Sequence, residues 1–245
     1  MADETMVFNL SGLTTDQAGK MYYKGYELAT RAHNFGEMYI YNNTNEYVID
    51  AQNSWHTSRN LIAGRVNGFT FESSITKDIL SVSDGGDGTI IITTDGVHGI
   101  VAGNIVTLTG TTGYDGVYPV LTTPLGNTFT VTKAFGASSV GTATKGSCLI
   151  AGDDSDGIYK VPYEISGKGA GTNQEFEYVI FKNAVLQEGL SASCKYGIGG
   201  DIIPVSGGNK TIDIVAGDII SSMVRNVSRT GNFTVKHMNL TIELK

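Results

Sequence analysis

Proline is scarce, with 4 in 245 residues, and so are cysteine (2), tryptophan (1) and charged residues (17%). Two cysteines, Cys148 and Cys194, far apart at strand-like positions, are not a disulfide framework and read as buried free thiols. Lys+Arg number 17 against 24 Asp+Glu, a net charge of −7, and the basic residues are scattered singly. The chain therefore lacks the phosphate-neutralising patch of a nucleic-acid binder. No apolar run approaches the ~18–20 residues of a membrane span. The opening residues Met1 to Thr5 are acidic and lack a basic stretch with an apolar core, so no signal peptide is expected. The chain is expected to be made in a cytoplasm and to stay soluble.

Reactive constellations are lacking as well. The four histidines, His33, His56, His98 and His237, show no metal-ligand spacing and read as turn or surface residues. Asp153-Asp154-Ser155-Asp156-Gly157 echoes the start of a calcium loop but has no late glutamate, so it reads as a turn at a domain boundary. Asp84 to Asp87 is a turn of the same kind. Gly197 to Gly200 opens no helix and makes no phosphate cradle, and no serine sits in a Gly-x-Ser-x-Gly elbow. The chain is read as a non-enzyme, with no catalytic residue, no metal ligand and no cofactor.

What is abundant is glycine, 32 residues, roughly twice the usual ~7%. Thr, Ser and Asn fill the gaps between apolar runs. Gly and Asn tolerate the positive φ of tight hairpins, so this mixture suits many short strands. The length allows one large β-domain or two smaller ones, with a sizeable core in either case.

In chain order, residues 1–12 could be a flexible arm or an edge strand. Thr14 and Gln17 resemble a capping box, and Ala18, Met21, Tyr22, Leu28 and Ala29 favour a short helix despite Gly19 and Gly25. Glu37–Tyr41 and Tyr47–Ile49 around Asn42–Asn45 read as a hairpin. Asn53–Thr57 is a loop or short strand, and Leu61–Val66 and Phe69–Phe71 are strands. From Ile79 to Ser147 the charge nearly vanishes, and short strands recur at the 8–12-residue spacing of a small barrel or sandwich. After Gly157, period-two alternation marks strands at Ile158–Ser166, Phe176–Asn183, Thr211–Ala216, Asp218–Arg225 and Phe233–Leu244.

Two resemblances follow from particular motifs. His98-Gly99-Ile100, Gly103–Gly110, Tyr114-Asp115-Gly116-Val117-Tyr118-Pro119-Val120 and Asn127–Val131 resemble a module common in tailed-phage virion proteins, although Gly103-Asn104 replaces the commoner Gly-Asp. Gly157–Tyr163, the strand ending Phe181-Lys182-Asn183, Ile214–Ile220 with its Ala216-Gly217-Asp218 turn, and the closing Val235–Ile242 resemble the jelly roll of the tumour-necrosis-factor and complement-globular-head families and its phage versions.

Together these imply an all-β protein: a discontinuous jelly-roll sandwich (residues 36–78 plus 148–245) interrupted by a small β-barrel-like domain (79–147), after an N-terminal arm or short helix (1–35). An insertion is tolerated where its ends lie close together at a loop. In the family, three jelly rolls pack round a three-fold axis through aromatic strand faces, so the resemblance implies a homotrimer. It makes Tyr159, Tyr163, Phe176, Tyr178 and Phe181 the trimer-interface candidates, part of which must be core. The implied function is a virion structural protein, a capsid decoration or head fibre held by its N-terminal arm on the major capsid protein or another virion protein. The alternatives are a tail-fibre or receptor-binding tip with a host-surface glycan or protein as ligand, and a glycan-processing enzyme with a carboxylate pair. Heptads and collagen repeats are lacking, which favours a compact decoration protein over a fibrous shaft.

Overall fold

The computed structural model describes residues 34–46, 49, 52–197, 202–207 and 210–245, together with the backbone of three short strands nearer the N-terminus. Among the described residues every regular element is a strand, and no helix is long and apolar enough to cross a membrane. The N-terminal unit, residues 1–33, contains β1 (Leu13–Thr15), β2 (Met21–Tyr23) and β3 (Tyr26–Glu27) in one antiparallel sheet. This corrects the helix expected from Thr14 onward. Gly19 and Gly25 interrupt that stretch, and Tyr22 and Tyr23 are better strand than helix residues. Residues 1–12 lie outside the described residues.

The described residues of the second unit, 34–245, form nineteen strands. In order they are β4 (Phe35–Ile40), β5 (His56–Thr57), β6 (Ile62–Asn67), β7 (Phe69–Glu72), β8 (Ile75–Gly86), β9 (Thr89–Thr94), β10 (Ile105–Thr109), β11 (Gly116–Leu125), β12 (Thr128–Thr132), β13 (Gly141–Lys145), β14 (Cys148–Ala151), β15 (Gly157–Lys160), β16 (Tyr163–Gly169), β17 (Gln174–Lys182), β18 (Val185–Tyr196), β19 (Ile202–Gly207), β20 (Thr211–Ile214), β21 (Ile219–Asn226) and β22 (Phe233–Leu244).

Two antiparallel sheets make a sandwich of jelly-roll type. One has six strands in the order β18-β17-β21-β14-β7, with β5 also on β21. The other has seven, in the order β19-β16-β22-β15-β20, with β4 on β22 and β6 on β4. Their inner faces share one core that includes Met38, Leu149, Tyr159, Phe176, Tyr196, Phe233 and Leu240. Strands β8 to β13, consecutive in sequence, close instead into a separate six-stranded barrel, β10-β11-β12-β9-β8-β13. Ile90, Ile92, Val106, Leu108, Phe129 and Val131 fill its interior, each fully buried, so it is packed rather than a channel.

The chain passes between sandwich and barrel twice, and the two passages run side by side. β7 pairs β14 from Phe69↔Ala151 to Glu72↔Cys148, and β8 pairs β13 from Ile75↔Lys145 onward. The barrel therefore leaves and rejoins the sandwich at adjacent points. Lys145 Nζ lies 2.6 Å from the Glu72 carboxylate there, with the lysine almost wholly buried.

Several local expectations change. β4 pairs β22 on one edge and β6 on the other, and the second arm expected of its hairpin, at Tyr47 and Val48, lies outside the described residues. The strand read at Ile158–Ser166 is broken at Pro162, so β15 pairs β20 while β16 pairs β19, as expected for a residue with no amide to donate to a ladder. β18 carries too much Gly, Ser and charge to stand out by alternation, and β19 is broken up by Pro204. The turn at 153–156 joins the two sheets: Asn34 Nδ2 donates to Asp154 O (2.6 Å) and Ala216 N to Asp156 Oδ1 (2.8 Å).

Candidate functional site

The five aromatic residues proposed for a trimer interface are all buried within a single chain, between 0% and 7% exposed. Phe176 packs on Phe233 (4.2 Å between centroids), Tyr178 hydroxyl pairs with Tyr196 hydroxyl (3.2 Å), and Tyr159 meets Phe69 edge-on (5.5 Å). Tyr163 lies over Gly207, where a Cβ would come within 2.4 Å of its hydroxyl. These four residues belong to the sandwich core. Phe181 points the other way, joining Val179, Met223 and barrel residue Ile105 in a separate cluster against which Trp55 and Val117 also pack. Within the single chain, therefore, all five are packed against their own chain rather than exposed on its surface. The reason is register: Tyr159 and Tyr163 share their face with Val161 and Ile165, and aromatics in phase with aliphatics are core.

The Phe181 cluster seats the barrel on the outer face of the six-stranded sheet. Trp55 stands edge-on to Phe181 (5.4 Å), and the Arg225 guanidinium covers the Trp55 ring at 4.4 Å while binding Glu177 through both Nε (2.7 Å) and Nη2 (2.5 Å). β17 and β21 are consequently buried on both faces.

On the seven-stranded sheet, none of the described residues of this unit covers the outer face. In β4, Met38 and Ile40 point into the core and Glu37 and Tyr39 out. β22 changes parity at a bulge, where Val235 pairs Gly167 but His237 pairs Ser166. Phe233 and Val235 face inward before the bulge, and Met238, Leu240 and Ile242 after it, leaving His237 and Asn239 outside. With Glu164 of β16 and Pro204 of β19 these residues line a groove of about 630 Å³. Tyr41, 71% exposed, stacks obliquely on His237 (4.6 Å), and Asn42 N donates to His237 Nδ1 (3.5 Å). Glu37 Oε2 accepts the Arg65 amide (3.1 Å). Sequence reading missed this groove, although the signal was there: Tyr39 and Tyr41 alternate in phase with Glu37, not with Met38 and Ile40.

Motifs that carried the resemblances turn out to hold loops. His98 Nδ1 accepts the Ile100 amide (2.9 Å), and Asn104 Oδ1 the Val101 amide (3.0 Å). Tyr114 hydroxyl donates to Ala137 O (2.6 Å) and accepts from the Gly136 and Ala137 amides (2.9 Å each). The Lys182-Asn183 and Gly217-Asp218 motifs lock each other. Buried Asp218 accepts from Asn183 Nδ2, Lys182 Nζ (3.2 Å) and the Val215 amide (2.9 Å), while Asn183 Oδ1 takes the Ile219 amide (2.8 Å).

His56 and His98 are buried rather than superficial, His237 is half-buried, and His33 lies outside the described residues. Both thiols are free. Cys148 is buried beside the junction, and desolvation, partly offset by Lys145, pushes its thiol up to about 12. Cys194 is only partly buried, which corrects its reading as a core thiol. Among the described residues, no three of His, Cys, Asp and Glu gather closely enough to hold a metal ion. No family model matches the chain, and a search among curated proteins returns no match.

Proposed function

We propose that this chain is a non-enzymatic structural protein of a tailed-phage virion, a homotrimer that decorates the capsid or forms a head fibre, with its first dozen residues serving attachment to the major capsid protein or another virion protein. Support comes from the order of the jelly-roll and phage-module motifs along the chain and from a sandwich interrupted by one closed barrel. The observation that carries the assembly part is the open outer face of the seven-stranded sheet, with Tyr39, Tyr41 and His237 around a groove. The other sheet's outer face is already covered by the chain's own barrel. An aromatic groove that no described residue of its own unit covers is the kind of surface that a symmetric assembly buries. Repeated attachment of such trimers on a particle makes weak individual contacts sufficient.

Sedimentation equilibrium tests the assembly. The expected mass is about three times the 26.0 kDa of one chain, and Tyr39→Glu with Tyr41→Glu returns it to that of one chain without changing the circular dichroism. A wild-type protein that sediments as a single chain at micromolar concentration overturns the trimer. Placement on the particle is tested by labelling, and a protein lacking residues 1–12 should no longer bind particles.

A further inference from the structure

A second cleft, about 340 Å³, opens where barrel and sandwich meet. The sandwich contributes His56 and Thr57 of β5, Arg59 and Glu46, and the barrel contributes Thr107 and Thr109 of β10, the adjoining Gly110, and Thr144 of β13. Apart from the His56 imidazole, its walls hold no aromatic side chain and no aliphatic one larger than a threonine methyl, so an apolar ligand finds little to pack against. One arginine and one glutamate cancel in formal charge, so neither an anion nor a cation is favoured overall.

What remains is a lattice of hydroxyls on rigid strands. Thr107 stands opposite Thr144, and Thr109 opposite Thr142. That spaces the threonine backbones about 5 Å apart across strands and about 7 Å along them. The hydroxyls of Thr57 and Thr107 approach to 3.4 Å across the junction, those of Thr144 and Thr76 to 3.1 Å, and those of Thr109 and Thr142 to 2.7 Å. A hydroxyl pair uses one O–H and one lone pair, leaving one donor and three acceptor sites for a ligand. The matching ligand is neutral and carries several groups that both donate and accept. The volume is at the low end of the ~300–1,000 Å³ of small-molecule sites, which favour domain junctions.

We infer that this cleft binds a short saccharide, held by the hydroxyls of Thr107, Thr109 and Thr144. With the His56 imidazole as the one ring among these residues, affinity comes mainly from hydrogen bonds, and the Kd is on the order of 1 mM. The inference goes beyond the assembly proposal and does not depend on it.

The test is a titration of the full-length 15N-labelled protein, followed by amide NMR, with methyl glycosides of glucose, galactose, mannose and N-acetylglucosamine, and separately with inorganic phosphate. At least one glycoside should give saturable shifts centred on Thr57, Thr107 to Gly110 and Thr144. Thr109→Val with Thr144→Val should weaken binding at least ten-fold, and Thr122→Val, whose hydroxyl pairs with Thr130 elsewhere on the barrel, should leave it unchanged. If the double variant does not fold, Thr109→Val alone, at a partly exposed position, carries the comparison. The inference is overturned if no glycoside moves these amides, if phosphate alone moves them, or if the cleft variants titrate like the wild type.

Discussion

On the six-stranded sheet, β17 turns Val179 and Phe181 outward, and both are buried beneath the barrel. On the seven-stranded sheet, β4 turns Glu37 and Tyr39 outward, both stay half-buried, and Tyr41 beyond them is exposed. The two faces belong to one sandwich and share one core. Their outer surfaces differ because the barrel sits on the first, while among the described residues of this unit none covers the groove on the second. Composition follows cover: the face under the barrel carries Val, Phe and Met around one Trp–Arg–Glu stack, and the open face mixes tyrosine, carboxylate, histidine and amide.

The most severe way to break this contrast is to remove the barrel. Glu72 and Cys148 are paired neighbours, so residues 73–147 can be replaced by a two-residue turn. The shortened protein is expected to bind hydrophobic dyes and aggregate, because Trp55, Val179, Phe181 and Met223 lose their cover, and Trp55→Ser with Phe181→Ser in the same background should restore solubility. A shortened protein that is soluble without those changes shows that the covered face needs no cover.

A milder test compares single side chains by urea unfolding. Phe181→Ala should cost about 3–5 kcal/mol, as for a buried aromatic truncated in place. Tyr41→Ala, at an exposed position, should stay within about 0.5 kcal/mol in the isolated chain. Equal losses at the two positions would erase the distinction between the faces.

The smallest effect is chemical. Alkylation at pH 8 should modify Cys194 well before Cys148, and Phe181→Ala should speed the reaction of Cys148 by loosening the barrel above it. Equal rates in the wild type would mean that the junction is open to reagent. The same thiol sets an alkaline limit. Burial holds Cys148 protonated up to about 12, against the ordinary 9.0 of a thiol. The folded state thus binds this proton more tightly than the unfolded state does. That contribution is complete below pH 9 and is lost as pH rises toward 12. Tyr163 and Tyr196, each raised by burial from 10.0 to about 12, add to the loss above pH 10. The urea midpoint should therefore fall across this range.

Much of the fold was legible in the sequence because alternation is a local signal. β17, β21 and β22 stand where the pattern places them, and the change of texture after Ile79 marks the strands of the barrel. β18 was not legible, since Gly189, Ser191, Ser193 and Lys195 dilute its pattern, and its pairing with β17 is a long-range matter. The parity change in β22 was hidden because a bulge adds one residue without any composition signal. The site was less legible still. Alternation separates two faces of a strand but does not say which of them another domain will cover. Phe181 and Tyr39 both lie outside their sheets, and only the position of the barrel, set by contacts far apart in sequence, makes one a buried anchor and the other a surface group.

The paired passage between sandwich and barrel has a mechanical consequence. β7 and β14 run antiparallel to each other into the junction, and β14 is hydrogen-bonded to β21 on its other side. A pull on the barrel along this ribbon would load both strands along their axes, so that the rungs between β14 and β21 would have to yield together in shear rather than open one at a time. A body held by the barrel would thus tug on the stiffest direction of the sheet beneath it.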